Sequence, residues 1–172
     1  SEHVSKRGEI CSPEMTREMM EAICQVAHWA GRKVAAHCHG GEGARNAILA
    51  GVDSLEHGAW LTETDLDLMA EAGTFWVPTL TVITTGYERR LEGEKPEHRR
   101  RWTERNYEAV WRTLEKALDR GVKIAAGTDA GFGGVPHGGN ARELTLLVEG
   151  GMTATEAIQA ATQANAELLG WG

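Results

Sequence analysis

The chain has 172 residues, enough for one hydrophobic core, and we predict a single domain over 1–172. Its formal net charge of -7 argues against nucleic acid or an anionic membrane as the main partner. No apolar run reaches the roughly 18 residues that a membrane-spanning helix needs. The odd count of 3 cysteines argues against a disulfide framework, so a reducing, cytoplasmic location is expected.

Helical patterns alternate with short apolar segments along the chain. The first helix is predicted over 15–30, with Ser12 as its cap and Pro13 at its first position. Further helices are predicted over 44–50, 62–72, 97–120, 141–149 and 153–169. Strands are predicted over 33–37, 52–56, 74–77 and 122–126. This order gives four βα units and predicts a parallel sheet, equal to half of a closed eight-stranded α/β barrel.

Three of the four predicted strands end in a side chain that can bind a metal ion: His37, His57 and Asp129. In an α/β barrel the carboxyl ends of the strands meet at one mouth, where catalytic groups lie. Imidazole nitrogen and carboxylate oxygen are also the usual ligands of a catalytic zinc. One histidine at a strand end is more often structural, but three groups placed alike favour a shared metal site. We therefore expect their side chains to converge.

The polar segments after the third and fourth predicted strands are interpreted as surface or loop regions. The glycine-rich loop 131–139 lacks the Lys-Ser/Thr ending of a phosphate-binding P-loop, so it is interpreted as a mouth loop that carries His137. The stretch 88–104 mixes arginine with glutamate and is interpreted as a solvated helix face. Tyr87 precedes that stretch and is predicted to lie in a loop over the mouth.

Three segments resemble signatures of the amidohydrolase superfamily and occur in the expected order. They are VAAHCHG at 34–40, AGVDSLEHG at 50–58 and AGTDAG at 126–131. The closest likeness is to the imidazolonepropionase-like and prolidase-like branch, which WVPTL at 76–80 and EGGMTATEAI at 149–158 also resemble. The resemblance covers nearly the whole chain.

The resemblance implies half of a (β/α)₈ TIM-type barrel, strands five to eight, without the N-terminal half and the β-sandwich of the family. His37 and His57 would be metal ligands ending strands five and six. Asp129 would end strand eight, bind the metal and act as the general base. His37 to Asp129 corresponds to about three βα units of roughly 30 residues, so His37 belongs to strand five rather than to the His-x-His pair of strand one. His39, Tyr87 and His137 would contact the substrate.

The implied activity is metal-dependent hydrolysis of an amide-type C–N bond in a dipeptide or N-acyl amino acid. Zinc, as one or two divalent ions in the intact enzyme, is the expected cofactor. A cyclic amide such as an imidazolone is the alternative substrate, and a non-catalytic binding or assembly module is the alternative of another class. Because strands five and eight would be open edges, a second copy or the missing half of the same barrel is the expected partner.

Overall fold

The computed structural model describes residues 13–93 and 96–171 of the chain. The strands of this part are β1 (Ala35–Gly40), β2 (Ser54–Trp60) and β3 (Phe75–Val77). The helices are α1 (Arg17–Trp29), α2 (Gly41–Ala50), α3 (Glu63–Ala72), α4 (Leu80–Glu88), α5 (Glu97–Asp119), α6 (Ala141–Glu149), α7 (Ala154–Gln159) and α8 (Asn165–Leu169). A π-helical turn at Ala160–Ala164 joins α7 to α8.

The first helix begins two residues later than its sequence pattern indicates. Its cap is Thr16, whose side chain accepts a hydrogen bond from the Met19 amide. The predicted cap, Ser12, lies outside the described residues. Thr62 caps α3 within a capping box completed by Asp65, which agrees with the predicted start of that helix.

The strands form a parallel sheet in the order β1-β2-β3, which confirms the predicted α/β class. The predicted fourth strand, 122–126, is wrong in extent. Only Ile124 forms a bridge, to Trp76 of β3, and it is flanked by hydrogen bonds from Trp76 to Lys123 and from Ala125 to Trp76. The physical reason lies in β3, which stops at Pro78, because proline has no amide hydrogen with which to continue the pairing.

Helix α4 occupies a segment that the sequence pattern leaves unassigned. Its residues are rich in threonine and other β-branched side chains, which are poor helix formers. The helix is supported instead by packing, because Leu80 is fully buried and Ile83 is 7% exposed. Tyr87 therefore lies on a helix, and its predicted position in a loop is wrong.

The hydrophobic core holds the His57–Gly58 segment of β2 in place. Trp76 is fully buried, and its indole Nε1–H donates a 2.9 Å hydrogen bond to the carbonyl oxygen of His57. The next residue, Gly58, has φ 53° and passes so close that an added Cβ would lie 2.6 Å from the Trp76 Nε1 atom. Only glycine fits there, so the packing around Trp76 fixes the position of His57 within β2.

Helix α5, the longest of the described part, is 23 residues long. Its buried face carries Asn106, Val110, Thr113, Leu114 and Ala117. Its outer face carries ion pairs such as Arg101 with Glu97, which agrees with the predicted solvated face. None of the helices within 13–93 and 96–171 is long and apolar enough to cross a membrane.

Candidate active site

A cavity of about 600 Å³ opens where the strands end, and His37, His39, His57 and Asp129 line it. The ring centroids of His37 and His57 are 4.6 Å apart, and those of His39 and His57 are 5.4 Å apart. The Nε2 atom of His57 lies 3.9 Å from Oδ2 of Asp129. The volume is typical of a site for a small molecule. The four predicted side chains thus meet at one cavity, and their individual roles stay predictions.

The backbone is strained at this cavity. In the described part of the chain, the non-glycine residues with positive φ are His57 at 69°, Thr79 at 50° and Asp129 at 52°. A left-handed backbone costs a residue with a side chain about 1–2 kcal/mol. Strain of this kind concentrates at functional sites, where the surrounding structure holds it in place. Two of these residues belong to the cavity lining, and the third contacts His57.

Thr79 determines which nitrogen of His57 carries the proton. Its Oγ1 lies 2.7 Å from Nδ1 of His57 and 2.7 Å from the carbonyl oxygen of Pro78. A hydroxyl has one hydrogen, and only that hydrogen can serve the Pro78 carbonyl, which is an acceptor. Oγ1 must therefore accept a hydrogen bond from Nδ1–H of His57. The Nε2 atom is left with a lone pair, on the side of the ring that faces Asp129.

Glu143 of α6 supports Thr79 from behind. Thr79 is the N-cap residue of α4, but its side chain makes no capping bond to that helix. The Glu143 carboxylate takes over this task, accepting 2.8 Å hydrogen bonds from the amides of Leu80 and Thr81 and a 2.6 Å bond from the Thr81 hydroxyl. A carboxylate is favourable at a helix N-terminus because the free amides and the helix dipole attract it.

Burial sets the charge of the three histidines. It is the main cause that lowers the pKa of His37. Burial and then the neighbouring His57 and His37 lower the pKa of His39 to about 3. Burial and then His37 lower the pKa of His57 to about 4, although Asp129 opposes the shift. The imidazoles are therefore neutral at pH 7, which is the form that can donate a lone pair to a metal ion.

The donor atoms between His57 and Asp129 suit a cation. The neutral Nε2 atom and the carboxylate Oδ2 face each other across 3.9 Å, and both are electron-pair donors. A tetrahedral ion with two bonds of about 2.0–2.2 Å holds its ligand atoms about 3.3–3.6 Å apart, so these two atoms would approach by a few tenths of an ångström to share it. Within 13–93 and 96–171, however, no group of three His, Cys, Asp or Glu side chains is arranged to hold a metal ion. Two facing donor atoms are therefore what the described residues offer at this position.

Two predicted substrate contacts lie apart from the cavity lining. Tyr87 stacks on Tyr107 with ring centroids 4.0 Å apart, and the Arg90 guanidinium lies 3.8 Å above its ring. His137 is exposed, with its ring close to Gly131, two residues beyond Asp129. Their part in substrate binding stays a prediction.

The cavity wall contains residues that the sequence pattern does not reveal. They come from α4, α5 and the loop after Asp129: Val82, Ile83, Gly86, Trp102, Thr103, Asn106, Phe132 and Gly133. One signal was present, because Asn106 interrupts the apolar stripe of α5. Thr79 had a weaker signal, as a threonine directly after the proline that ends a strand.

The profile of the Amidohydrolase family matches residues 5–172, and the chain belongs to this family. Ochratoxinase of Aspergillus niger is 38% identical over 158 residues, which cover 90% of this chain and 31% of the relative. The crystal structure of a Xaa-Pro dipeptidase with bound methionine in its active site superposes with a TM-score of 0.86 at 39% identity. That match covers 98% of this chain and 41% of the dipeptidase chain.

The crystal structure of A. niger ochratoxinase superposes with a TM-score of 0.81 at 31% identity, over 96% of this chain and 37% of that one. The chain thus spans between about a third and two fifths of the length of these relatives. Its parallel sheet and flanking helices match the corresponding part of their folds.

Proposed function

We propose that this chain forms strands five to eight of a (β/α)₈ barrel, in a metal-dependent hydrolase that cleaves an amide-type C–N bond. The observation that carries the proposal is the pair of facing donors, Nε2 of His57 and Oδ2 of Asp129, 3.9 Å apart at the cavity. A dipeptide or an N-acyl amino acid is the proposed substrate class, because a Xaa-Pro dipeptidase is among the structures most similar to the chain. We call this chain, together with the segment that supplies strands one to four, the assembled barrel.

His37, His57 and Asp129 would hold a zinc or similar divalent ion, with further ligands from strands one and four. When bound, such an ion supplies Lewis-acid activation of water and of the scissile carbonyl. Asp129 takes a proton from the attacking water and passes it to the leaving nitrogen as the C–N bond breaks. His39 contacts the substrate from the cavity wall, and His137 and Tyr87, which lie outside the lining, reach it as further contacts.

An assay of the assembled barrel with and without metal tests this function. The protein is stripped with a chelator, dialysed and reconstituted with zinc, and both forms are tested on dipeptides, N-acyl amino acids and an imidazolone. We expect hydrolysis of a dipeptide or N-acyl amino acid by the zinc form and loss of it in the stripped form. Equal activity in both forms, or no hydrolysis of any amide, would contradict the proposal, and hydrolysis of the imidazolone alone would favour the cyclic-amide alternative.

Replacing Thr79 by valine is expected to weaken zinc binding by the assembled barrel by about 10–100-fold, the usual cost of losing the hydrogen bond behind a ligating histidine. Valine keeps the shape and β-branching of threonine but cannot accept the Nδ1–H of His57. Thr79→Ser keeps the hydroxyl and serves as the matched control. Competition with a chromophoric chelator measures both affinities, and equal affinities in the two variants would remove Thr79 from this role.

The open side of the sheet predicts that the chain alone associates in solution. Within the described residues β1 pairs on one side only, with β2. Apolar side chains on the neighbouring helix α1 are 47% to 89% exposed: Met19, Ile23, Val26 and Trp29. Unpaired edges and apolar faces associate in water. Light scattering should therefore show a dimer or a larger assembly, and a monodisperse monomer that unfolds cooperatively would contradict this expectation.

A further inference from the structure

We propose that Asn106 is a specificity residue of the cavity and accepts a hydrogen bond from an N–H group of the substrate. The inference rests on the proposed function only for the identity of the bond that is cleaved. The hydrogen bond itself can be tested by ligand binding without catalysis. It extends that function by assigning a substrate group to the part of the cavity wall formed by α5.

Asn106 is a polar residue within an apolar stripe. It follows Trp102 and precedes Val110 at intervals of one helical turn, so that the three share the inward face of α5. Val110 is fully buried in the core, and Trp102 and Asn106 both line the cavity. Asn106 itself is 7% exposed. Its amide is thus part of the cavity wall rather than part of the solvated face.

The oxygen of this amide has no hydrogen-bond donor. Among the described residues, no N–H or O–H group lies within bonding distance of the buried Oδ1 atom of Asn106. Buried amide oxygens are almost always paired, because an unpaired one has lost its bonds to water without replacement. The torsion that turns the amide plane is soft, so rotation of the amide can present the oxygen to the cavity. A ligand N–H would supply the missing donor.

The surroundings of Asn106 restrict what the ligand can be. Side chains of Val82, Ile83 and Trp102 form the adjacent wall, and the Trp102 ring meets His39 edge to face with centroids 5.1 Å apart. The wall therefore continues into the histidine cluster. These neighbours favour an apolar or aromatic substituent on the ligand. The ligand class is a peptide or acyl compound with such a substituent and an N–H donor, which is either the scissile amide or the α-amino group.

Three ligands separate these two sources of the donor. Phe-Pro carries an α-amino group but no amide N–H, 3-phenylpropanoyl-alanine carries an amide N–H but no amino group, and 3-phenylpropanoyl-proline carries neither. Their dissociation constants are measured by calorimetry on the metal-free assembled barrel, so that no turnover occurs. We expect Asn106→Leu to raise the dissociation constant of one of the two N–H ligands, Phe-Pro or 3-phenylpropanoyl-alanine, by about tenfold. This change is equivalent to about 1.4 kcal/mol. Binding of 3-phenylpropanoyl-proline should not change.

Thr103→Val is the matched control. Thr103 also lines the cavity from α5, but its hydroxyl already donates a 2.9 Å bond to the Arg99 carbonyl. This variant should leave the preference among the three ligands unchanged. The melting temperature adds a second readout, since Asn106→Leu should be neutral or stabilising if the amide has no partner in the free protein.

Equal weakening of all three ligands by Asn106→Leu, no weakening of any, or no binding of any ligand would overturn the inference. A lower melting temperature with unchanged ligand preference would also overturn it, because that pattern marks a structural amide. Selective binding through Asn106 without any amide hydrolysis by the zinc form would contradict the proposed function alone. Amide hydrolysis with the same kcat/KM in wild type and Asn106→Leu would contradict this inference alone.

Discussion

Replacing Asp129 by asparagine is expected to lower kcat of the assembled barrel by about a thousandfold, within the range of about 10²–10⁴ that general bases contribute. Asparagine has nearly the same shape, so the cavity and its left-handed backbone at φ 52° are preserved, particularly because asparagine tolerates this conformation. The change removes the proton acceptor and one negative charge from beside His57.

Steady-state kinetics on the best dipeptide or N-acyl substrate measures this effect. Asp119→Asn is the matched control, because Asp119 lies exposed at the end of α5, away from the cavity lining. The control should retain the wild-type kcat. A loss of less than tenfold for Asp129→Asn would mean that another group takes the proton, and the assignment of the base would be wrong.

Replacing Glu143 by leucine is expected to destabilise the fold by about 3–5 kcal/mol. Glu143 is fully buried. Its loss leaves the amides of Leu80 and Thr81 and the Thr81 hydroxyl without their hydrogen-bond acceptor. Each buried polar group left without a partner costs about 1–3 kcal/mol. Because Glu143 holds the start of α4, the position of Thr79 beside His57 should be lost as well.

Urea unfolding followed by circular dichroism measures the free energy, and Glu149→Leu on the exposed side of the same helix is the matched control. The control should change stability by less than about 0.5 kcal/mol. A similarly small change for Glu143→Leu would show that the carboxylate does not cap α4.

The same comparison has a pH dependence with a definite sign. Burial raises the pKa of Glu143 above its ordinary value, against the hydrogen bonds from Thr81 and Leu80. A raised pKa in the folded state adds stability below the unfolded pKa, and this contribution is lost as pH rises through the folded pKa. The stability difference between wild type and Glu143→Leu should therefore shrink as pH rises through that window.

The positions of the first three strands along the chain were predictable, though not their ends, because apolar runs are local patterns. Short apolar runs that follow helix-ending glycines predicted strands ending at 37 and 56. In the structure β1 and β2 continue to Gly40 and Trp60, yet His37, His57 and Asp129 still line one cavity. Helix α6 was predicted with its observed bounds, Ala141–Glu149, for the same reason.

The parts that the sequence did not reveal depend on long-range contacts. The hydrogen bonds that Glu143 accepts from the amides of Leu80 and Thr81 join segments more than sixty residues apart. They explain why α4 forms despite its poor helix propensity, and therefore why Tyr87 is helical. The unpaired oxygen of Asn106 is a property of the folded cavity. The role of Thr79 likewise depends on which atoms its hydroxyl reaches.

Anomalous diffraction at the zinc edge from crystals of the assembled barrel tests the central claim most directly. The proposal predicts one peak or two in the cavity, with at least one within about 2.2 Å of both Nε2 of His57 and an Asp129 oxygen. At a tetrahedral angle, bonds of that length bring the two atoms from the observed 3.9 Å to about 3.6 Å. A zinc-soaked crystal with no peak at this position, or with His57 bound through Nδ1 instead of Nε2, would contradict the account.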